Sequence, residues 1–377
     1  MMHRPLFKTL AIAATVGSLA LASHAQARDL RLAPGVPPAH PAHTPLYTDF
    51  VDLLQSESEG RLGGRILGTE VASLGNMRNA IRSGLVEAGL LLPAYFPADL
   101  PEINLVGDMA LLGTNSYAMA GAMTEYIATC EACQEELKRL GIVYTSSHST
   151  DTYQILTTTP VETAEDLRGL RLRVGGPQYS RWAEAMGATP ASIPVGETFE
   201  SLSQGVIDGT VASIADIISF RLEDVISHVT MHDLGPFHSP ISHAVGQSAW
   251  QALSPEDREA LAIASTKASA LAIQRWAYEM IDESKALAEE HGIEIIEPSD
   301  DLLAASQAFA EEDIERAAEL AERRHGVSDA RNKLDRFIGL VDKWNAIVEE
   351  VGEDPEAVAD AIRREVWDSV DFATYGT

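Results

Sequence analysis

The sequence predicts an α/β protein of two lobes with a hinged cleft and a long helical C-terminal region. Three observations carry this. Short apolar strand-like runs alternate with helical stretches through the first two thirds of the chain, as in mainly parallel sheets covered by helices. A strand–helix–strand unit recurs in faintly similar form. From about Pro255 to Arg364 the chain becomes rich in Ala, Glu, Leu, Asp and Arg with helical periodicity.

Residues 1–27 have the layout of a secretory signal peptide. Arg4 and Lys8 make a basic start, an apolar run extends from Leu10 to Ala22, and Ala25-Gln26-Ala27 is a small-x-small cleavage site. The apolar run is shorter than the roughly 20 residues a membrane-spanning helix needs, and no later segment is long and apolar enough. A secreted, periplasmic protein without membrane insertion is therefore expected. Removing the leader leaves roughly 350 residues, enough for two lobes of ordinary size. Residues 28–151 plus about 239–277 are assigned to the first lobe, and 152–238 plus about 278–377 to the second.

The formal net charge is −28, and loss of Arg4 and Lys8 with the leader deepens it by two. So acidic a chain excludes nucleic acid and an anionic membrane face as partners.

The repeat begins with the two opening strands. Leu30-Arg31-Leu32-Ala33-Pro34-Gly35 is echoed by Leu170-Arg171-Leu172-Arg173-Val174-Gly175. Further on, Gly84-Leu85-Val86-Glu87-Ala88-Gly89 is echoed by Gly205-Val206-Ile207-Asp208-Gly209, each closing a helix and opening an apolar strand. Shared glycine punctuation of unrelated α/β lobes is the plainer explanation of so short an echo. Two similar lobes in an exported chain favour a cleft that closes on a small molecule.

Arg173 ends a strand that Gly175, Gly176 and Pro177 stop. Ligands of open α/β sheets bind just beyond the carboxyl ends of strands, and an arginine fork clamps a carboxylate bidentately. The octapeptide alone is better served by a plain surface arginine at a strand end. The matching position in the first lobe is Ala33, so the fold itself does not require a cation there.

Other candidates for the cleft are Tyr95, just after a strand; Trp182, which either stacks on a ligand or packs under helix 178–186; and Tyr153, which either meets a ligand or caps a core. Asp216 either accepts from a ligand hydroxyl or amine or caps a helix. His40 and His43 lie in the loop after the first strand, where a cleft mouth is expected. His228 and His232 have i,i+4 spacing, but Val229 and Thr230 favour a strand, so no metal site is assigned. Cys130 and Cys133, in an exported chain, are expected to form a disulfide that pins a local turn. One long helix is expected from Pro255 to about Glu290, with Pro298 and Gly326 as breaks in the helical region beyond it. No chemistry is assigned to this last third.

The chain also resembles a known family, the periplasmic solute-binding subunits of tripartite ATP-independent periplasmic (TRAP) transporters, often named for C4-dicarboxylate uptake. The resemblance rests on Glu165-Asp166-Leu167-Arg168-Gly169-Leu170-Arg171-Leu172-Arg173-Val174, Met186-Gly187-Ala188-Thr189-Pro190, and the run from Glu197 to Asp208-Gly209. Ala80 to Gly89 and Trp250-Gln251-Ala252-Leu253-Ser254-Pro255-Glu256 also fit its patterns. It implies a Venus-flytrap periplasmic binding protein without catalysis or cofactor, which delivers a small organic acid to membrane permease subunits. It also implies that Arg173 pairs with the ligand carboxylate.

Two departures narrow the ligand. Many relatives follow the Asp-Gly pair with Glu-Asn-Pro, whose asparagine helps hold the ligand, whereas this chain continues Thr210-Val211-Ala212-Ser213. Ala212 or Ser213 leaves a larger or less polar wall. The position of a second family arginine, some twenty residues before the first, falls in Thr152-Tyr153-Gln154, where this chain has none, so a second carboxylate clamp is not expected. The expected ligand is a monocarboxylate with an apolar or aromatic body, ahead of a C4-dicarboxylate or a sugar acid. Two other classes remain: a binder that serves a sensor or an unrelated permease, which the same fold permits, and a periplasmic enzyme, for which the chain has no Gly-x-Ser-x-Gly, His-Glu-x-x-His or phosphate loop.

Overall fold

The computed structural model describes residues 27–377, so the predicted leader lies outside the described residues. The chain first builds β1 (Arg28–Ala33), β2 (Leu62–Ile66), β3 (Ala88–Leu91) and β4 (Ile142–Val143). It then crosses to a second sheet for β5 (Gln154–Thr157), β6 (Arg171–Arg173), β7 (Thr189–Ala191), β8 (Gly209–Ala212) and β9 (His228–Thr230). It returns to the first sheet for β10 (Ile241–Gly246) and adds β11 (Glu294–Ile296) to the second. The strand orders are β2-β1-β3-β10-β4 and β11-β9-β5-β8-β6-β7. This is the two-lobed α/β architecture expected.

The sheets are mixed rather than mainly parallel, which corrects the expectation. β10 runs antiparallel to β3 and β4, and β5 antiparallel to β8 and β9. The reason lies in the crossings. β5 and β10 each enter a sheet directly from the other one, without the helical crossover that parallel neighbours need. The crossing segments also run side by side. Ser242 donates its N–H to Ser146 O at 2.9 Å, Thr150 to Phe237 O at 3.1 Å and Tyr153 to Gly235 O at 3.0 Å.

The faint repeat has a physical cause. In the first sheet Glu87 accepts from the Arg31 N–H at 3.0 Å and forms an ion pair with its guanidinium, which also donates to Gly84 O at 2.8 Å. In the second, Asp208 accepts from the Arg171 N–H at 2.8 Å, pairs with its guanidinium, and the guanidinium donates to Gly205 O at 2.7 Å. The acidic residue of each Gly–acid–Gly run thus pins the strand to its neighbour in the same register, Leu32 against Ala88 and Leu172 against Gly209. Gly84 and Gly205 are left-handed, with φ of +74° and +66°, a conformation that costs other L-residues energy.

The helix expected from Pro255 to about Glu290 is continuous in direction but not in winding. Pro255–Ile273 is α-helical, Gln274–Glu279 widens to a π-helix, and Met280–Glu290 resumes the α-helix. Pro255 occupies its first position, and Ser254 caps it by accepting from the Asp257 N–H at 3.1 Å. Helix Asp300–Leu320 comes next and packs on helix Pro177–Ala185. The last two helices, Ala330–Val351 and Pro355–Glu365, turn back to the first sheet's helices, unlike the assignment of everything after about residue 278 to the second lobe. The packing explains this. Trp344 lies against Gly121 of helix Ser116–Thr129, where any side chain would collide with the indole, and donates to Glu125 at 2.7 Å. Trp367 likewise donates to Thr266 at 2.9 Å.

Candidate ligand-binding site

A narrow cavity, open to solvent at its mouth, lies between the sheets. Val36, Leu74, Leu90, Leu92 and Tyr95 wall it from the first sheet's side, and Tyr153, Arg173, Gly175, Val195 and Asp216 from the second's. His148, Thr150, Phe237 and Pro240 of the crossing segments, His40, and Trp276 of the π-helix complete it.

Arg173 is the last residue of β6, and its side chain is buried to 2 % exposure. Its Nε donates to Ile193 O at 2.9 Å and its Nη2 to the Tyr95 hydroxyl at 3.2 Å, while Nη1 has no partner. An idle donor on a buried cation carries a full desolvation penalty, which an anionic ligand oxygen relieves. Gly175 keeps the approach open, since a Cβ there would sit 3.6 Å from Nη1 and 3.6 Å from the Tyr153 ring. Tyr95 comes from the 3-10 turn Pro93–Tyr95 after β3. Its hydroxyl accepts from both Arg173 and the Val195 N–H, the latter at 2.9 Å, so the phenol joins the two sides of the cleft. With both lone pairs engaged, its proton is free to be donated to a ligand.

Asp216 opens the short helix Asp216–Ser219, but the cap position is Ala215, and the Asp216 Oδ1 is buried without a partner. Burial pushes its carboxyl up to about 7, with Arg173 pulling the other way. Beneath it Asp151 is pushed further, to about 8, by burial, and the charge of Asp216 adds to this. The Asp151 Oδ2 accepts from the Ile214 N–H at 3.3 Å.

Tyr153 lines the cavity as a stacked ring, with its centroid 5.0 Å from that of Tyr179 and 6.0 Å from that of Phe237. His40 also lines it. The His40 Nδ1 accepts from the Ala42 N–H at 3.0 Å, its ring meets Trp276 edge-on at 4.6 Å, and burial lowers its pKa to about 3. His148 is fixed by a 3.0 Å hydrogen bond between Nδ1 and the Ser242 hydroxyl and is likewise held neutral by burial, at about 3.

Two sequence candidates lie elsewhere. Trp182 is fully buried away from the cavity, where its Nε1 donates to Ser306 at 2.9 Å and its ring tilts against His232, so packing under the helix is its role here. Ala212 is buried at the end of β8, opposite Gln154, and is not among the lining residues. The space expected beside it is occupied, because Trp276 reaches in and donates from Nε1 to the Ser213 hydroxyl at 2.9 Å. Trp276 is thus a cavity residue from the C-terminal third, a region without any residue singled out by sequence pattern. The π-winding of Gln274–Glu279, equally unannounced in the sequence, presents it.

The cysteines lie apart from the cavity. Their Cα atoms are 5.2 Å apart, within disulfide range, and Cys130 caps helix Glu131–Leu140 by accepting from the Cys133 N–H at 3.1 Å. His228 begins β9, in keeping with its β-branched neighbours. His232, His238 and His243 are buried, bonded to Ser306, Val106 O and Ser265 respectively, and burial lowers the pKa of each. Among the described residues no helix is long and apolar enough to cross a membrane.

Comparison with known proteins gives a consistent answer. A solute-binding protein of Chromohalobacter salexigens is 26% identical over 306 residues, which cover 78% of this chain and 86% of that one. Among solved structures, a TRAP periplasmic solute-binding protein from Bordetella bronchiseptica with bound (R)- and (S)-mandelate superposes with a TM-score of 0.71 at 23% identity, covering 84% of this chain and 99% of that one. A TRAP solute-binding protein from a marine metagenome, specific for aromatic acids and crystallised with 3-hydroxybenzoate, gives a TM-score of 0.74 at 21% identity, covering 85% and 99%. The family model for bacterial extracellular solute-binding protein family 7 matches residues 32–320, most of the chain. The chain therefore belongs to that family, the solute-binding proteins of TRAP transport.

Proposed function

We propose that this protein is the periplasmic subunit that captures a small monocarboxylate with an aromatic or apolar body and hands it to the membrane permease of a TRAP system. The observation that carries the reading is the idle Nη1 of Arg173, a buried cation facing a cavity whose other walls include Leu90, Leu92, Phe237, Tyr153 and Trp276. One carboxylate fits that donor, with the Tyr95 hydroxyl beside it. Among the lining residues Arg173 is the sole arginine or lysine, which supports one carboxylate rather than two. The mandelate and 3-hydroxybenzoate held by the two structural neighbours are ligands of this kind. In this reading the protein is a carrier without catalysis, is exported by its leader, and holds Cys130 and Cys133 as a disulfide.

The test is a thermal-shift screen of aromatic acids, 2-oxo acids, sugar acids and C4-dicarboxylates, followed by calorimetry on the hits with wild type and Arg173→Ala. A ligand that binds only the folded protein raises its midpoint once its concentration exceeds Kd. Aromatic monocarboxylates are expected to give the largest shifts. Arg173→Ala should fold normally and lose affinity by about a hundredfold, as for removal of a buried charge-assisted pair. Arg173→Lys should recover only part of it, because one point donor does not replace the fork. A response confined to dicarboxylates, or full affinity in the alanine variant, would sink the reading.

A further inference from the structure

Arg173 is not alone in facing the cavity with an unused polar atom. Asp216, on the same wall, buries its Oδ1 without a hydrogen-bond partner. The two side chains feel each other's charge, yet they make no ion pair within 4 Å, although pairing would satisfy both. A ligand carboxylate satisfies only the arginine. It leaves the carboxyl of Asp216 idle and, when that group is ionised, faces it with a like charge. A buried polar atom left unpaired in the complex would weaken binding, whereas one that gains a donor strengthens it.

We propose that Asp216 is a specificity-determining residue, and that the preferred ligand is a hydroxy monocarboxylic acid whose hydroxyl hydrogen-bonds to Asp216 while its carboxylate pairs with Arg173. The inference rests on the carboxylate reading above and adds a second polar anchor to it. A hydroxyl suits this position better than an ammonium. Burial favours the neutral form of Asp216, with Arg173 pulling the other way, so the group has both a protonated and an ionised form within reach near neutral pH. A hydroxyl both donates and accepts, so either ionisation state of Asp216 can bind it. An ammonium needs the ionised form and would bring another cation beside Arg173. Most of the remaining wall is apolar or aromatic, and its other polar side chains are His40, His148 and Thr150. Nδ1 of His40 and Nδ1 of His148 are engaged by Ala42 and Ser242, and the Thr150 hydroxyl donates to Asp151 O at 2.5 Å.

The experiment is calorimetric titration of ligands matched on one scaffold: mandelate, phenylacetate and phenylglycine, which carry a hydroxyl, a hydrogen and an ammonium at one carbon, together with 3-hydroxybenzoate and benzoate. In the wild type the hydroxylated member of at least one set should bind about tenfold tighter or more than its unsubstituted partner. Asp216→Ala should erase that advantage while still binding the unsubstituted acid, and Asp216→Asn, which keeps an acceptor at the same place, should retain part of it. Equal affinities within both sets overturn the assignment from the wild type alone, whether or not a variant folds. So does an advantage that survives Asp216→Ala, or tightest binding by phenylglycine. In those three outcomes the unsubstituted acids still bind and the carboxylate reading stands. Failure of all five acids to bind removes both.

Discussion

At the scale of single residues, the cavity is arranged around donors and acceptors that the protein itself leaves unused. Gly175 belongs to this arrangement although it contributes no side chain. A methyl there would lie at van der Waals distance from Arg173 Nη1, where a ligand oxygen has to come. Gly175→Ala is therefore expected to weaken ligand binding about tenfold while changing stability by less than about 1 kcal/mol. Calorimetry and a denaturant titration separate the two effects, and unchanged affinity would show that the ligand approaches Arg173 from elsewhere. Asp216 gives a prediction with a sign. Its carboxyl titrates near 7 in the fold and near 3.8 when unfolded, so the native state holds the proton more tightly between those values. Stability contributed by this group is full below about pH 4 and is lost as pH rises through about 7. Asparagine does not titrate. In ligand-free protein, the midpoint of Asp216→Asn relative to wild type should thus rise by at least about 2 °C between pH 5 and pH 8. A difference that stays constant across that range would mean that Asp216 ionises as freely as an exposed carboxylate.

At the scale of elements, what could be read from sequence depended on whether a pattern or a packing event placed the residue. Arg173 was legible because a strand end, two glycines and a proline fix its position, and the family resemblance supplied the partner it faces. The repeat was legible because the Arg–acid–glycine contacts that pin β1 and β6 need the same residues at the same spacing in each sheet. Trp182 was left between two readings for the opposite reason. The spacing within helix Pro177–Ala185 does not say which neighbour Trp182 meets, and only the packing of helix Asp300–Leu320, which brings Ser306 to the indole, decides that the tryptophan turns inward. Trp276 was invisible because an α-helical wheel drawn through Pro255–Glu290 averages over the π-turn that redirects it. The role given to that turn is testable by a subtle change. Trp276→Phe keeps an aromatic wall but loses the Nε1–H donated to Ser213. It should cost about 1 kcal/mol of stability, as for a typical buried hydrogen bond, and reduce affinity for aromatic acids severalfold. Urea unfolding and calorimetry give the two readings, and an unchanged affinity would make Trp276 a structural residue only.

For the whole molecule, the question is how two sheets joined by crossing segments hold a shut cleft. The chain carries a net charge of −28, so an anionic ligand approaches against the overall field and has to be held by local contacts once the cleft closes. Tyr95 is placed for this task. It lies just after β3 of the first sheet, yet its hydroxyl accepts from Arg173 and from the Val195 N–H on the second sheet's side. These hydrogen bonds span the cleft, so they exist only when it is closed. A contact made only in the closed state slows ligand escape without changing encounter with the open state, and its loss appears in the dissociation rate. Tyr95→Phe keeps the ring and removes both acceptor contacts. Its affinity for a ligand found in the acid screen should fall about tenfold, almost entirely through faster dissociation, with the association rate within about twofold of wild type. Stopped-flow measurements of intrinsic tryptophan fluorescence resolve the two rates, since Trp276 borders the cavity. A fall in affinity carried by slower association would instead mean that Tyr95 shapes the open site that the ligand first meets. An unchanged dissociation rate would mean that the cleft is held shut by the ligand and the crossing segments without it.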